Sequence, residues 1–230
     1  MANFYGSLIG FGSGGAAAAP VSITHTATYG AGGRASGTTQ TVTGVSVGTA
    51  TADRLVVAAF GTSGGPSNSS ATATIAGNAA TKIVESVGSD STILSIFSYG
   101  LSSGTSATFA VTYNTSAITW TTLNVWAIYN ANHTATAYFD SNADVGTGTI
   151  DISASGCALS GAVTVSSGGA TYTWVGLTED QETSSVSGYA TLSYSGASDA
   201  FEDAQSGRTV SVTRSAVGHE AMGVVAFGPA

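Results

Sequence analysis

The sequence predicts an all-β protein: an antiparallel sandwich of jelly-roll type, with few or no helices and an extended N-terminal arm. Three observations carry that expectation. From residue 21 onward apolar residues recur with a period of two, the spacing that places alternate side chains on one face of a strand. The segments showing it are short, rich in β-branched and aromatic residues, and bounded by Gly, Asn, Ser or Asp. No stretch sustains a 3.6-residue apolar pattern, so the crossover helices that a parallel sheet requires have no candidate.

In chain order, the uncharged stretch MANFYGSLIGFGSGGAAAAP comes first. A secretory signal needs a positive start and an unbroken apolar run of about 7–15 residues. Here no Lys or Arg precedes Ala16–Ala19, and Gly6, Gly10 and Gly12 interrupt the run. A membrane span needs about 20 apolar residues, which no segment supplies. Residues 1–20 therefore read as a docking arm. Phe4, Tyr5, Leu8, Ile9 and Phe11 would fill pockets on a partner while the glycines let the backbone lie close. A segment packed on its own domain and a signal peptide are the alternatives.

The first strands predicted are VSITHTAT (21–28), QTVTGVSV (40–47), RLVVAAF (54–60), TATIA (72–76) and TKIVES (81–86). TILSIFSY (92–99), ATFAVTY (107–113) and TTLNVWAIY (121–129) follow. The second part supplies TIDIS (149–153), AVTVS (162–166), TYTWVGL (171–177), YATLSY (189–194), TVSVTR (209–214) and MGVVAF (222–227). Leu55–Phe60, Val125–Ile128 and Gly223–Phe227 are apolar on both faces, which predicts full burial. In TYTWVGL, Tyr172 and Trp174 share one face, Val175 and Leu177 the other. The two parts echo each other loosely: RLVVAAFGTSGG through NVWAIYNA matches in layout TYTWVGLTEDQE through MGVVAFGPA. One sandwich over residues 21–230 is expected, with two tandem sandwiches split near 135–148 as the alternative; NANHTATAYFDSNADVGTG is either a linker or a long loop.

Composition narrows the function. Charged residues are 8% of the chain, against about 25% in ordinary soluble domains. A hydrophobic share of 43% and a mean hydropathy of +0.25 exclude disorder, so the surface is built from hydroxyls, amides and glycine. The net charge is −8, and Arg34, Arg54, Lys82, Arg208 and Arg214 are scattered singly. Neutralising phosphates takes clustered Lys and Arg, so nucleic acid is excluded as a partner. The lone Cys157 admits no internal disulfide and is expected as a small, half-buried apolar side chain.

Candidate chemistry is sparse, and no catalytic residue or cofactor is expected. DSNADVGTGTID (140–151) begins like a calcium loop, yet Val145 stands where the sharp turn needs Gly, and Asp151 replaces the bidentate Glu. Asp140, Asn142 and Asp144 remain weak metal candidates against a solvated acidic turn. EDQE (179–182) and DAFED (199–203) read as solvated turns rather than a glycosidase carboxylate pair. His25, His133 and His219 have no metal-ligand spacing, GxSxG, Walker and HExxH motifs are absent, and GAGGRASG (30–37) reads as a loop. Of the aromatics that could stack on a sugar (Trp120, Trp126, Tyr172, Trp174), Trp126 belongs to a buried strand; Trp120, beside polar neighbours, is the carbohydrate-contact candidate.

The segments TVTGVSVGTATADRLVVAAF, TATIAGNAATKIVES, GLSSGTSATFAVTY, LNVWAIYNA and EAMGVVAFGPA together resemble a class of β-sandwich virion proteins of tailed bacteriophages. In that class a D-R-L-V-V strand, here Asp53–Val57, precedes a T-I-x-G-x-A-A-T hairpin, here Thr74–Thr81 with Ala76 and Asn78 at the variable positions. NFYGSLIGFGSGG is similar to openings of phage structural proteins. The resemblance implies a non-enzymatic particle component: a capsid decoration or cement protein, a head fibre or a tail-surface protein. It also implies other virion proteins as partners, a homo-oligomer such as a trimer, a place on the particle surface, and no catalytic or ligand residues. A carbohydrate-binding or adhesin module recognising a host glycan is the alternative function.

Overall fold

The computed structural model describes residues 18–30, 38–63, 70–88, 92–114, 120–141, 146–187, 190–216 and 218–230. Among them the chain is strand and turn without helix, and no helix is long and apolar enough to cross a membrane. The first set of strands is β1 (Ser22–Gly30), β2 (Thr39–Ser46), β3 (Leu55–Ser63), β4 (Ala71–Ile75), β5 (Asn78–Ala79), β6 (Thr81–Val87), β7 (Ile93–Gly100), β8 (Ser106–Tyr113) and β9 (Trp120–Tyr129). The second is β10 (Ala137–Ser141), β11 (Gly146–Ile152), β12 (Cys157–Ser166), β13 (Tyr172–Val175), β14 (Thr178–Ser187), β15 (Ala190–Ala200), β16 (Gln205–Arg214) and β17 (Gly218–Phe227).

Every predicted segment falls on one of these strands, and all pairings are antiparallel. Three strands escape the period-two reading. β5 has only two residues. β10 lies inside the stretch read as linker or loop. β14 contains EDQE, which is an edge strand rather than a turn; its ladder to β15 holds it, so its sequence TEDQETSSVS needs no apolar alternation.

The strands form four sheets. Two five-stranded sheets run β1-β9-β3-β7-β6 and β10-β17-β12-β15-β14, and two smaller ones run β2-β8-β4-β5 and β11-β16-β13. Alternation of side chains stacks them in four layers with the five-stranded sheets in the middle. Val56, Ala58 and Phe60 of β3 meet Phe109 and Val111 of β8 in one outer core. Leu55, Val57 and Ala59 of the same strand meet Leu159, Val163 and Val225 in the central core. Met222, Val224 and Ala226 of β17 turn the other way, onto Ile150, Tyr172 and Val212, in the third. Strands of a middle layer are covered on both faces, which explains why Leu55–Phe60, Val125–Ile128 and Gly223–Phe227 are apolar throughout and wholly buried.

The two sets follow the same order. In each inner sheet the first strand lies beside the last, then the third, then the last but two. By position β3 therefore corresponds to β12 and not to TYTWVGL, while β9 corresponds to β17. Only the second half of β12, AVTVS, shows in the hydropathy pattern, because the first half, CALSG, is built largely from small residues. In TYTWVGL the expected alternation ends at Val175, which is 58% exposed, because Gly176 (φ 91°) breaks the strand and returns Leu177 to the core. No ladder joins the two sets among the described residues. The passage between them falls at residues 130–136, beside the 135–148 split of the tandem arrangement, and the central core packs both sets as one stack.

That core depends on glycine. Gly161 of β12 pairs with Gly223 of β17 on one side and Gly196 of β15 on the other, a row of three across the sheet. The opposing sheet presses into the groove this row leaves. A Cβ at Gly161 would lie 3.2 Å from Ala59 Cβ, one at Gly223 3.0 Å from Val84 Cγ1, and one at Gly196 2.8 Å from Trp126 Cζ2. Trp126 is the largest fully buried side chain among the described residues, and the groove is what accommodates its ring. The variant Gly196→Ala is accordingly expected to lose about 1–3 kcal/mol in urea unfolding, as overpacking of a filled core does. A neutral Gly196→Ala would contradict the close approach.

Candidate functional site

The structure places the sequence candidates apart. Phe4, Tyr5, Leu8, Ile9 and Phe11 lie outside the described residues, as do Asn142 and Asp144 of the calcium-like loop. Asp140 sits exposed on edge strand β10 opposite Gly223. Asp151, the loop's last position, accepts the Gly207 amide at 2.7 Å. No group of three or more His, Cys, Asp or Glu fit to hold a metal occurs among the described residues. Trp120 opens β9 opposite Ser63; its side chain lies outside the description, as does that of His219. Cys157 is fully rather than half buried, and burial pushes its thiol up to about 12, so it is an inert core residue.

The charged side chains show a common pattern: they hold the strands and turns. Arg54 is wholly buried and has no acidic partner among the described residues; its guanidinium donates to four carbonyls. Nε reaches Leu101 O at 2.8 Å, Nη1 reaches Val47 O and Gly48 O at 3.2 and 2.9 Å, and Nη2 reaches Ser103 O at 2.8 Å. The fork clamps the turn after β2 to the turn after β7. Asp53 accepts the Asn130 amide at 2.7 Å, and that bond holds its carboxyl below the usual range. Glu85 accepts the Ala71 amide and the Ser95 hydroxyl, both at 2.9 Å. Arg208 donates to Gly176 O at 2.8 Å. Arg214 and Glu220 pair at 3.0 Å, with side chains 4% and 0% exposed. The EDQE carboxylates are engaged in the same way. Glu179 accepts the Ser195 hydroxyl at 2.9 Å and Glu182 the Tyr172 amide. Asp180 accepts the Trp126 indole N–H at 2.8 Å, across the central layer. Partial burial pushes the Asp180 carboxyl upward against the pull of that bond.

One place combines an exposed aromatic with a hollow. Along β10 the side chains alternate: Ala137 and Phe139 join the third core, so Tyr138 points to the other face and stands 62% exposed. There it borders a cleft of about 290 Å³ where the edges of the two inner sheets meet. The walls are Thr81, Lys82 and Ser98 on one side and His133 and Thr134 on the other. Ile83 and Ala135 form the floor, both packed against the central core. The ladder between β6 and β7 shifts register between Lys82 and Val84, and the extra residue is Ile83. That bulge bends the edge strand and leaves the core's end open.

Local bonds hold these walls. Lys82 Nζ is fixed by Ser70 Oγ at 2.9 Å and Glu85 Oε1 at 3.1 Å, so its charge is compensated in place. His133 donates from Nε2 to the Asp53 carbonyl at 3.2 Å. The ring rests against Gly100, where a Cβ would lie 2.7 Å from Nδ1. Sequence reasoning passed over this cleft because Tyr138 and His133 sit in the stretch read as linker; the signal was the short alternation AYFD. A second hollow, about 460 Å³, is lined by Ser167–Thr171, Glu182, Ser184 and Thr191. The carboxylate there is the one bonded to the Tyr172 amide, and no aromatic borders the space.

Comparison with known protein families, curated proteins and solved structures finds no match to this chain.

Arg54→Met removes the donors of four carbonyls at once. It is expected to cost about 3–5 kcal/mol of unfolding free energy, read by urea denaturation; a loss below about 1 kcal/mol would contradict the clamp.

Proposed function

We propose that this chain is a non-enzymatic structural component of a virus particle, of the tailed-bacteriophage virion class its sequence resembles. It decorates or stabilises the capsid, or the tail surface, through residues 1–20 and through contacts of the β stack. The observation that carries the reading is the internal use of charge. Arg54, Asp53, Glu85, Glu179, Glu182, Arg208 and the Arg214–Glu220 pair are bonded to backbone or to each other. Acid–base catalysis asks for a titratable group aimed at a reacting atom in a cleft; these groups hold turns and strand ends together.

Three further features support the reading. The nested pairing of β1 with β9, β2 with β8, β3 with β7 and β4 with β5 accords with the jelly-roll element of the resemblance. Four stacked layers make a stiff body, suited to a spacer on a particle surface. A surface poor in charge but net negative at −8 discourages nonspecific association with nucleic acid. The partners are other virion proteins and further copies of the chain, arranged by the particle's symmetry as a trimer or ring.

Removing residues 2–15 is expected to leave circular dichroism and melting temperature unchanged while abolishing co-sedimentation with particles that carry the full chain. Full co-sedimentation of the truncated chain would overturn the docking arm.

A further inference from the structure

We propose that the cleft at Tyr138 is a binding site for a neutral sugar ring. The inference does not depend on the particle role. It starts from an exposure that folding does not require. Tyr138 lies on a strand whose neighbours Ala137 and Phe139 already anchor it in a core, yet its own ring is 62% exposed. Exposed tyrosine offers a flat apolar face and a hydroxyl together, the combination that stacks on the C–H face of a pyranose while bonding its rim.

The surroundings fit the same ligand. At about 290 Å³ the cleft lies near the lower end of the roughly 300–1,000 Å³ range of small-molecule sites, room for a sugar ring and its substituents. Its floor, Ile83 and Ala135, is apolar, and its walls are the hydroxyl-bearing Thr81, Ser98 and Thr134 together with His133. Hydroxyls both donate and accept, as sugar hydroxyls do. Charge decides against the competing ligands. Lys82 is the cation in the wall and Glu85 already pairs with it at 3.1 Å, in a chain of net charge −8. The lysine that a phosphate, sulfate or sialate would meet there is already paired with a carboxylate. The walls belong to β6, β7, β10 and the turn between the two sets of strands, so the site exists only where the inner sheets meet.

The test is an array of immobilised neutral, sialylated and sulfated oligosaccharides probed with the full chain, followed by titration of the best neutral glycan. Retention of neutral glycans is expected, with Tyr138→Ala weakening binding at least tenfold and Tyr138→Phe by less than about threefold, because the ring and not its hydroxyl carries the stacking. Circular dichroism of Tyr138→Ala should be unchanged, since the side chain is exposed. Three results overturn the proposal: no glycan retained, retention confined to anionic glycans and abolished by Lys82→Ala, or retention lost in Trp120→Ala but kept in Tyr138→Ala.

Discussion

Two five-stranded sheets lie face to face, and everything else in the stack follows from how closely they approach. The groove made by Gly223, Gly161 and Gly196 receives Ala59, Val84, Leu94, Ile96 and the Trp126 ring. Sheets packed through ordinary side chains sit about 10 Å apart; a row without Cβ atoms makes room on one side for large residues of the other. Gly61 repeats the device in reverse, since a Cβ there would lie 3.0 Å from Val163. Interlocking of this kind removes apolar surface of both sets of strands from water in a single layer, so each set has an outer core of its own and shares the central one with its neighbour.

The same economy governs polarity. With few charges available, the fold places several of them against backbone groups, and Arg54 at the four carbonyls is the extreme case. Buried hydroxyls do the remaining work: Ser193 accepts the Ala170 amide at 2.8 Å, and Ser195 links Trp174 to Glu179. A stack rich in serine and threonine is thus closed with few ion pairs, Lys82–Glu85 at the edge and Arg214–Glu220 inside. One place among the described residues where it is not closed is the edge beside Ile83, where β6 bulges and Tyr138 stands over the gap.

Much of the fold was legible because burial on one face leaves a period of two, and β1, β8 and β16 show it. Strands covered on both faces were legible when they were aliphatic, as β3, β9 and β17 are. Of β12 only the AVTVS half was, because its first half, CALSG, is buried largely with Ala, Ser and Gly, residues that hydropathy does not distinguish from loop. β14 was hidden for the opposite reason: an edge strand held by a ladder carries acids where a buried one would carry valine. The glycine row spans three strands far apart in sequence, and only the register shows that its members meet. Tyr138 was readable as an outward residue of a short strand, but nothing local to it announces the cleft, which is made by β6 and β7 more than thirty residues upstream.

The central claim is that the two sets of strands share one core and stand or fall together. Differential scanning calorimetry of the full chain tests it most directly. Interlocked inner sheets predict one transition whose calorimetric and van't Hoff enthalpies agree; two separable transitions, each with the heat expected of about half the chain, would contradict it.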